Sequence, residues 1–198
     1  MARVVGNMSI SLDGFVADAS DGVDEVFSWY GKGDVPVTMP NAAMPFQVSA
    51  ASAELLSTVW GQVGALISGR RTFDLAGGWN GAPPLGVQTF VVTHAVPDGW
   101  PRPGTPFTFV TEGGIEAAVA QAKKHAGDGI VAVTGADVTQ KCINAKLLDE
   151  ISLDVVPVLL GSGVRYLDKL ANTPVWLGDP RVVEGVGVTH LSYDVRYR

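Results

Sequence analysis

The chain has 198 residues, 46% hydrophobic and 17% charged, which is enough apolar sequence for a sizeable core and excludes a disordered polyelectrolyte. Net charge is −6 with a pI near 4.9 and no lysine/arginine run, which argues against nucleic acid and leaves an anionic ligand to be held by a local basic cluster. A single cysteine, Cys142, excludes an intrachain disulfide and a cysteine metal cluster; with no signal-peptide pattern and no apolar run of membrane-spanning length, a cytoplasmic protein without a membrane anchor is expected.

Residues 4–12 read as a first strand that ends at Asp13-Gly14, a turn signal. Phe15-Val16-Ala17 is short and apolar, 18–22 is a polar loop, and 24–41 is irregular but carries Trp29 and Tyr30. Helical spacing of Leu55, Leu56, Val59 and Trp60 marks a helix over 49–60, and 63–67 is the second strand. A glycine- and proline-rich loop, 77–86, precedes strands at 87–92 and 107–110. Ile115, Ala118, Val119 and Ala122 form a helical stripe that Gly127 stops. The run 130–133 has the β-branched continuity of a strand buried on both faces. A helix over 137–146 is expected, with Asp137 and Gln140 at capping-box spacing. Residues 151–160 are another strand, and 182–197 read as two strands turning at 184–187. Strands separated by helices imply a parallel α/β core, and the C-terminal strands suggest an antiparallel edge, all within one domain spanning 1–198.

Three strand ends carry polar residues or glycine. The first, Leu66-Ile67-Ser68-Gly69-Arg70-Arg71-Thr72-Phe73, has the composition of a strand running into a phosphate-holding turn. Glycine admits a ligand to the backbone, and guanidinium offers a planar fork of donors to phosphate oxygens. The bland alternative is a strand–turn–helix junction with two solvated arginines. The second end is Thr93-His94, and the third is Thr134-Gly135-Ala136-Asp137 followed by Val138. Ligands of open α/β sheets bind beyond the carboxyl ends of the parallel strands. No G-x-G-x-x-G fingerprint is present. The third strand also ends without a carboxylate for a ribose 2′-hydroxyl; hydroxyl, imidazole and guanidinium there favour a 2′-phosphate, hence NADP over NAD.

Three blocks, 9–17 (Ser-Ile-Ser-Leu-Asp-Gly-Phe-Val-Ala), 69–73, and 147–163 with its Leu-Leu-Asp-Glu-Ile and Val-Pro-Val-Leu-Leu-Gly-Ser-Gly segments, span nearly the whole chain in an order that resembles the dihydrofolate reductase-like superfamily. Within it, the chain resembles most the reductase domain of the bifunctional riboflavin-biosynthesis deaminase-reductase. The resemblance implies a dihydrofolate-reductase-like α/β fold and an NADPH-dependent reductase acting on a flat heterocycle, either a pteridine or a ribosylated pyrimidine. It matches Gly69, Arg70, Arg71 and Thr72 to a phosphate turn, Thr93 and His94 to the 2′-phosphate, and Val16 and Ala17 to the nicotinamide. Thr134, Gly135, Ala136, Asp137 and Val138 match the turn over the pyrophosphate, although Ala136 and Asp137 stand where the family has further glycines. It also implies a homodimer. A non-catalytic nucleotide-binding or dimeric scaffold of the same fold is the alternative, and a flavin-binding protein a third.

On the substrate side, Asp24 and Glu25 are candidate proton-handling carboxylates and Trp29 and Tyr30 candidate stacking residues for the heterocycle, with core packing as the other reading of the two rings. Asp13 is a further carboxylate candidate whose bland role is to satisfy local N–H groups. Trp79 is a candidate pocket lid, Gly161-Ser162-Gly163 borders the expected site, and Cys142 falls on a buried stripe. His125 and His190 carry no signal by position, and no histidine–carboxylate cluster has metal spacing.

Overall fold

The computed structural model describes residues 2–197. In chain order its elements are β1 (Arg3–Ser11), β2 (Phe15–Ala17), α1 (Asp24–Phe27) running into a 3-10 turn (Ser28–Gly31), β3 (Val35–Val37), β4 (Phe46–Val48), α2 (Ala50–Trp60), β5 (Val63–Gly69) and α3 (Arg70–Leu75). A second 3-10 turn (Gly77–Gly81) leads to β6 (Gln88–Val92), β7 (Phe107–Val110), α4 (Gly114–Ala126), β8 (Ile130–Thr134), α5 (Ala136–Asn144) and β9 (Glu150–Val156). The chain ends through β10 (Val164–Arg165), β11 (Trp176–Leu177), β12 (Arg181–Glu184) and β13 (Thr189–Arg196).

Nine strands form one sheet in the order β11-β13-β9-β1-β8-β5-β6-β7, with β12 also paired to β13. The six strands from β9 to β7 are mutually parallel, and β13 and its partners supply the antiparallel edge. The chain leaves β1, builds β5, β6, β7 and β8 on one side of it, then crosses to β9 on the other side. The strand order therefore reverses beside β1, and the carboxyl ends there are where an open α/β sheet places its ligand crevice.

One face of the sheet is covered by α4 and α5. Val4, Ala65, Ile67, Val131 and Val133 pack there against Ala118, Val119 and Ala122 of α4 and Val138, Cys142 and Ile143 of α5. Cys142 is fully buried, as its place on the stripe implied, and burial with the nearby Glu116 charge pushes its thiol up to about 12. Helix α4 ends at Gly127, which takes φ +62°, a left-handed value suited to glycine. On the opposite face lie α2, whose N-cap Ser49 accepts from the Ser52 N–H at 3.2 Å, the aromatic segment around Trp29, and α3.

Several boundaries differ from the sequence reading. The strand expected over 151–160 stops at Val156, because Pro157 has no N–H to donate to a ladder and the Val158 N–H turns back onto the Val156 carbonyl at 2.8 Å. The irregular stretch 24–41 contains α1 and β3, and β3 pairs with the unforeseen β4. The capping box at Asp137 does not form. Gly135 is the N-cap of α5 with no side-chain cap, Asp137 pairs with Lys141 at 2.6 Å, and buried Gln140 donates to the Tyr166 carbonyl at 2.8 Å while accepting from the Lys169 N–H at 2.9 Å.

Candidate functional site

The two glycine turns meet. Gly69 ends β5, and a Cβ placed on it would sit 3.4 Å from Val138 Cγ1 of α5. Gly135 ends β8 at φ +102°, and a Cβ there would lie 2.7 Å from Thr72 Oγ1 of α3. The Gly135 turn thus fits against Thr72 because it lacks a side chain of its own, whereas a Cβ on Gly69 would make only ordinary contact. The strand-end residues expected to hold a nucleotide are in this way brought together from β5 and β8.

Arg70 reaches across to β6. Its Nε donates to both carboxylate oxygens of Asp74 at 2.8 Å, and its Nη1 stands 3.5 Å from Thr93 Oγ1 and donates to the Ala95 carbonyl at 3.1 Å. Thr93 is buried and its hydroxyl donates to the same carbonyl at 2.8 Å, while His94 is exposed beside it. Arg71 goes elsewhere: it is exposed and pairs with Asp21, in the polar loop after β2, a residue that holds φ +66°. The expectation that both arginines stand beside Thr93 and His94 is therefore corrected; only Arg70 does. Thr134 Oγ1 donates to Met8 Sδ at 3.4 Å, and Ala136 and Val138 are buried.

Val16 and Ala17 are buried in β2, which pairs with β10. Gly163, at φ +139°, packs so closely that a Cβ would overlap the Ala17 carbonyl. The Gly161–Gly163 bend therefore borders Ala17 because it is built of residues small enough to do so.

Asp13 proves to be an anchor. Its Oδ1 accepts from Ser11 Oγ at 2.6 Å and from the Leu160 N–H at 3.1 Å, and its Oδ2 from the Gly161 N–H at 2.7 Å. These donors, Ser11 first, hold its carboxyl down to about 2. Both oxygens are taken up by these donors, which gives Asp13 the role of pinning the 160–161 turn to the end of β1. The folded value lies below the ordinary 3.8. The stability that Asp13 adds is therefore fully present above about pH 4 and is lost as pH falls through about 2. We expect the urea midpoint to fall between pH 4 and pH 2 more steeply in the parent chain than in Asp13→Asn; parallel profiles would show that Asp13 does not pin the loop.

The aromatic candidates are also reassigned. Trp29 is fully buried, stacked on Tyr30 at 4.1 Å, and its Nε1–H donates to Ser9 Oγ at 3.1 Å. Tyr30 in turn packs tilted against Phe46 at 4.3 Å, and burial raises its hydroxyl above the ordinary tyrosine value. Trp29 is core and offers a substrate no open face, whereas Tyr30 is half-buried against the same cluster. Trp79 is half-buried against Phe73 and Phe107 in a third aromatic cluster and is not a free lid. Asp24 and Glu25 are exposed on the first turn of α1, which packs over β1 and β9 through buried Val26.

The model of the RibD C-terminal domain family matches residues 2–182. The chain belongs to this family. As a RibD C-terminal domain it is 26% identical, over 170 residues, to the uncharacterized protein YwjB of Bacillus subtilis, covering 86% of this chain and 85% of that one. Its fold is that of a Shewanella sp. PV-4 protein provisionally assigned to riboflavin biosynthesis, with TM-score 0.70, 21% identity and full coverage of both chains. Dihydrofolate reductase from Enterococcus faecalis, solved with NADP(H) and RAB-propyl, superposes with TM-score 0.56 at 16% identity, covering 98% and 97% of the two chains. The RibD C-terminal domain here thus has the dihydrofolate-reductase-like fold.

The sequence reading missed one cluster of this RibD C-terminal domain. His190, 2% exposed, places Nδ1 2.7 Å from Asp154 Oδ1 and Nε2 2.9 Å from Ser52 Oγ, with Asp154 and Ser52 also buried. The three have the chain of contacts of a nucleophilic triad, but Ser52 is closed in: a Cβ on Gly185 would collide with its Oγ. The signal available was an acid flanked by apolar residues, Asp154 between Leu153 and Val155 in Glu150–Val156. Away from the crevice, a cavity of about 320 Å³ lies between α2 and the opposite strand ends, where Arg3 and Arg181 pair with Glu150 and Asp194. Among the described residues no group of side chains could hold a metal ion, and no helix is long and apolar enough to cross a membrane.

Proposed function

We propose that this chain is an NADPH-dependent reductase of a flat heterocyclic substrate, a pteridine or a ribosylated pyrimidine. The observation that carries the reading is the convergence at the crevice of three strand ends: Gly69–Thr72, Thr93 and Gly135. The residues fit a dinucleotide. Gly135 leaves a cradle that a Cβ would fill. Arg70 provides guanidinium N–H groups beside Thr93 and His94 for a 2′-phosphate. Arg71 and Thr72 add donors at the turn, and Thr134, Ala136, Asp137 and Val138 complete the wall next to it. Val16 and Ala17 line the nicotinamide end. When bound, the cofactor supplies the hydride.

The chain's own part is to bind, orient and exclude water. Asp74 must yield the guanidinium of Arg70, and Asp21 that of Arg71, as phosphate oxygens take the same donors. Asp24 and Glu25 are the exposed carboxylates on the substrate side, where they exchange the proton that accompanies reduction. A homodimer in the cytoplasm is part of the same proposal, after the riboflavin-pathway relatives it resembles. A second reading, nucleotide binding without turnover, is favoured by Ala136-Asp137 standing where the family has glycines.

Titration with NADPH, followed by its fluorescence, tests this directly; no binding at millimolar cofactor rejects it. Arg70→Ala should weaken NADPH at least tenfold and NADH little, since one charge-assisted pair to phosphate is worth roughly 1.5–3 kcal/mol. Equal losses for the two cofactors would show that Arg70 does not read the 2′-phosphate. Binding without turnover of pterin, flavin or pyrimidine substrates would leave the second reading.

A further inference from the structure

The central strand of a parallel sheet is normally covered on both faces. β1 is that strand here, flanked by β8 and β9, yet its middle residue, Asn7, is exposed. Strand alternation puts Val5, Asn7 and Ser9 on the face that carries α2 and Trp29. On that face α2 packs on β12 and α3 packs on β5 and β6. Between them Asn7 stays exposed over β1, between buried Val5 and Ser9, and Ala132 of β8, the register partner of Val5, is half-buried.

Beside Asn7 the sheet is polar and half-buried, and the next row is polar and buried. Register sets Asn7 beside Ser152, which faces Ser192, and one row further along sets Ser9 beside Asp154, which faces His190. Asn7 Nδ2 stands 3.4 Å from Ser152 Oγ and 3.5 Å from Asp154 Oδ2. The other oxygen of Asp154 is taken by His190 Nδ1 at 2.7 Å, and Ser52 Oγ at 2.9 Å fixes the far side of the ring. Trp29 seals the group, its ring edge-on to His190 at 5.1 Å. A carboxylate only accepts, so the NH₂ of Asn7 must be the end that faces Asp154. The remaining polar atom of this exposed side chain is Oδ1, an acceptor.

We propose that Asn7 is a specificity-determining residue of the substrate seat. Its side-chain carbonyl takes an N–H donor on the edge of a planar heterocycle, and Asp154, His190 and Ser52 are positioning residues that hold the amide in that orientation. The ligand class rests on the reductase reading above; the group that recognises it does not. A heterocycle edge carrying lactam or amino N–H groups satisfies Oδ1, whereas an N-alkylated ring leaves it unpaired. The two contacts behind Asn7 are long, so the amide is oriented without being locked and has room to meet a ligand.

The test uses the full chain, uniformly ¹⁵N-labelled, titrated with uracil and with 1,3-dimethyluracil, which share a ring and differ in N–H donors. Side-chain NH₂ resonances report Asn7 directly. Uracil should shift the Asn7 pair and bind roughly tenfold more tightly than its dimethyl analogue, the effect of one hydrogen bond to a desolvated acceptor. Asn7→Leu should erase the preference, and Ser52→Ala, which removes only the outermost contact, should reduce it while broadening the Asn7 NH₂ signals. His190→Gln should do the same if it folds. Equal binding of the two rings, no shift of the Asn7 pair at the solubility limit of uracil, or a preference that survives Asn7→Leu would each overturn the proposal. NADPH binding separates the two readings. A chain that binds NADPH without preferring uracil loses this proposal alone, and one that prefers uracil without binding NADPH loses the reductase reading.

Discussion

Gly135→Ala should cost about 3 kcal/mol of stability and at least tenfold in NADPH affinity. Gly135 combines φ +102° with ψ 143°, a region open essentially to glycine alone, and a Cβ would come 2.7 Å from Thr72 Oγ1. Strain and crowding therefore add: the first raises the energy of the β8–α5 turn, and the second pushes it away from α3. In a chain of this size 3 kcal/mol lowers Tm by roughly 6–12 °C. Gly127→Ala is the control. It also has positive φ, 62°, but nothing within 4 Å of its Cβ, and it lies at the far end of α4. With ψ −114° it too lies where glycine alone sits comfortably, so it should show the strain alone, about 1–3 kcal/mol, and leave NADPH binding unchanged. Thermal melts with cofactor titrations check both variants. If they lose stability equally, and Gly135→Ala binds NADPH normally, the Gly135–Thr72 contact does not shape the site.

Trp29→Ala should be more damaging to the fold itself, by about 3–5 kcal/mol. The ring is wholly buried, stacked on Tyr30 and edge-on to His190, and closes the cluster of Val37, Val48, Leu56 and Val156. Removing it opens a void and strips the Ser9 hydroxyl of its indole donor. Trp29→Phe separates the two effects: it keeps most of the volume and loses the N–H, so about 1–2 kcal/mol is expected from the hydrogen bond. Urea unfolding distinguishes them. A loss under about 1 kcal/mol for Trp29→Ala would mean that the ring is dispensable and return it to the list of ligand-facing groups.

The sheet was legible because its strands announce themselves. Val131 and Val133 sit in a short β-branched run, and the α4 stripe, one apolar residue every three or four positions, ends at a glycine. The turns at Gly69 and Gly135 were legible for the same kind of reason, since glycine breaks an apolar run at its end. What could not be read is what the register brings together. Asp154 and His190 are 36 residues apart and touch only because β13 pairs with β9 at that row. Ser52 reaches them from the first turn of a helix whose position over the sheet no local pattern encodes. Trp29 was visible as an aromatic, but whether a tryptophan covers a pocket or fills a core depends on what lies above it. Asp13 fits the local reading only in part, because two of its three side-chain donors come from 147 and 148 residues away.

Arg70 and Arg71 each face a carboxylate of this chain, Asp74 and Asp21, and the chain as a whole carries −6. On the reading proposed above, a phosphate arriving at these side chains substitutes for an anion that is already there. The substitution leaves the local charge nearly balanced, so long-range attraction gives little help in gathering the ligand. Discrimination falls instead to shape at contact. Three tetrahedral oxygens can engage a guanidinium fork, a threonine hydroxyl and backbone N–H groups at once, which a planar carboxylate on a short tether cannot match. Such a site stays closed to stray anions in a crowded, salty medium and opens only to a ligand that also fits the glycine cradle.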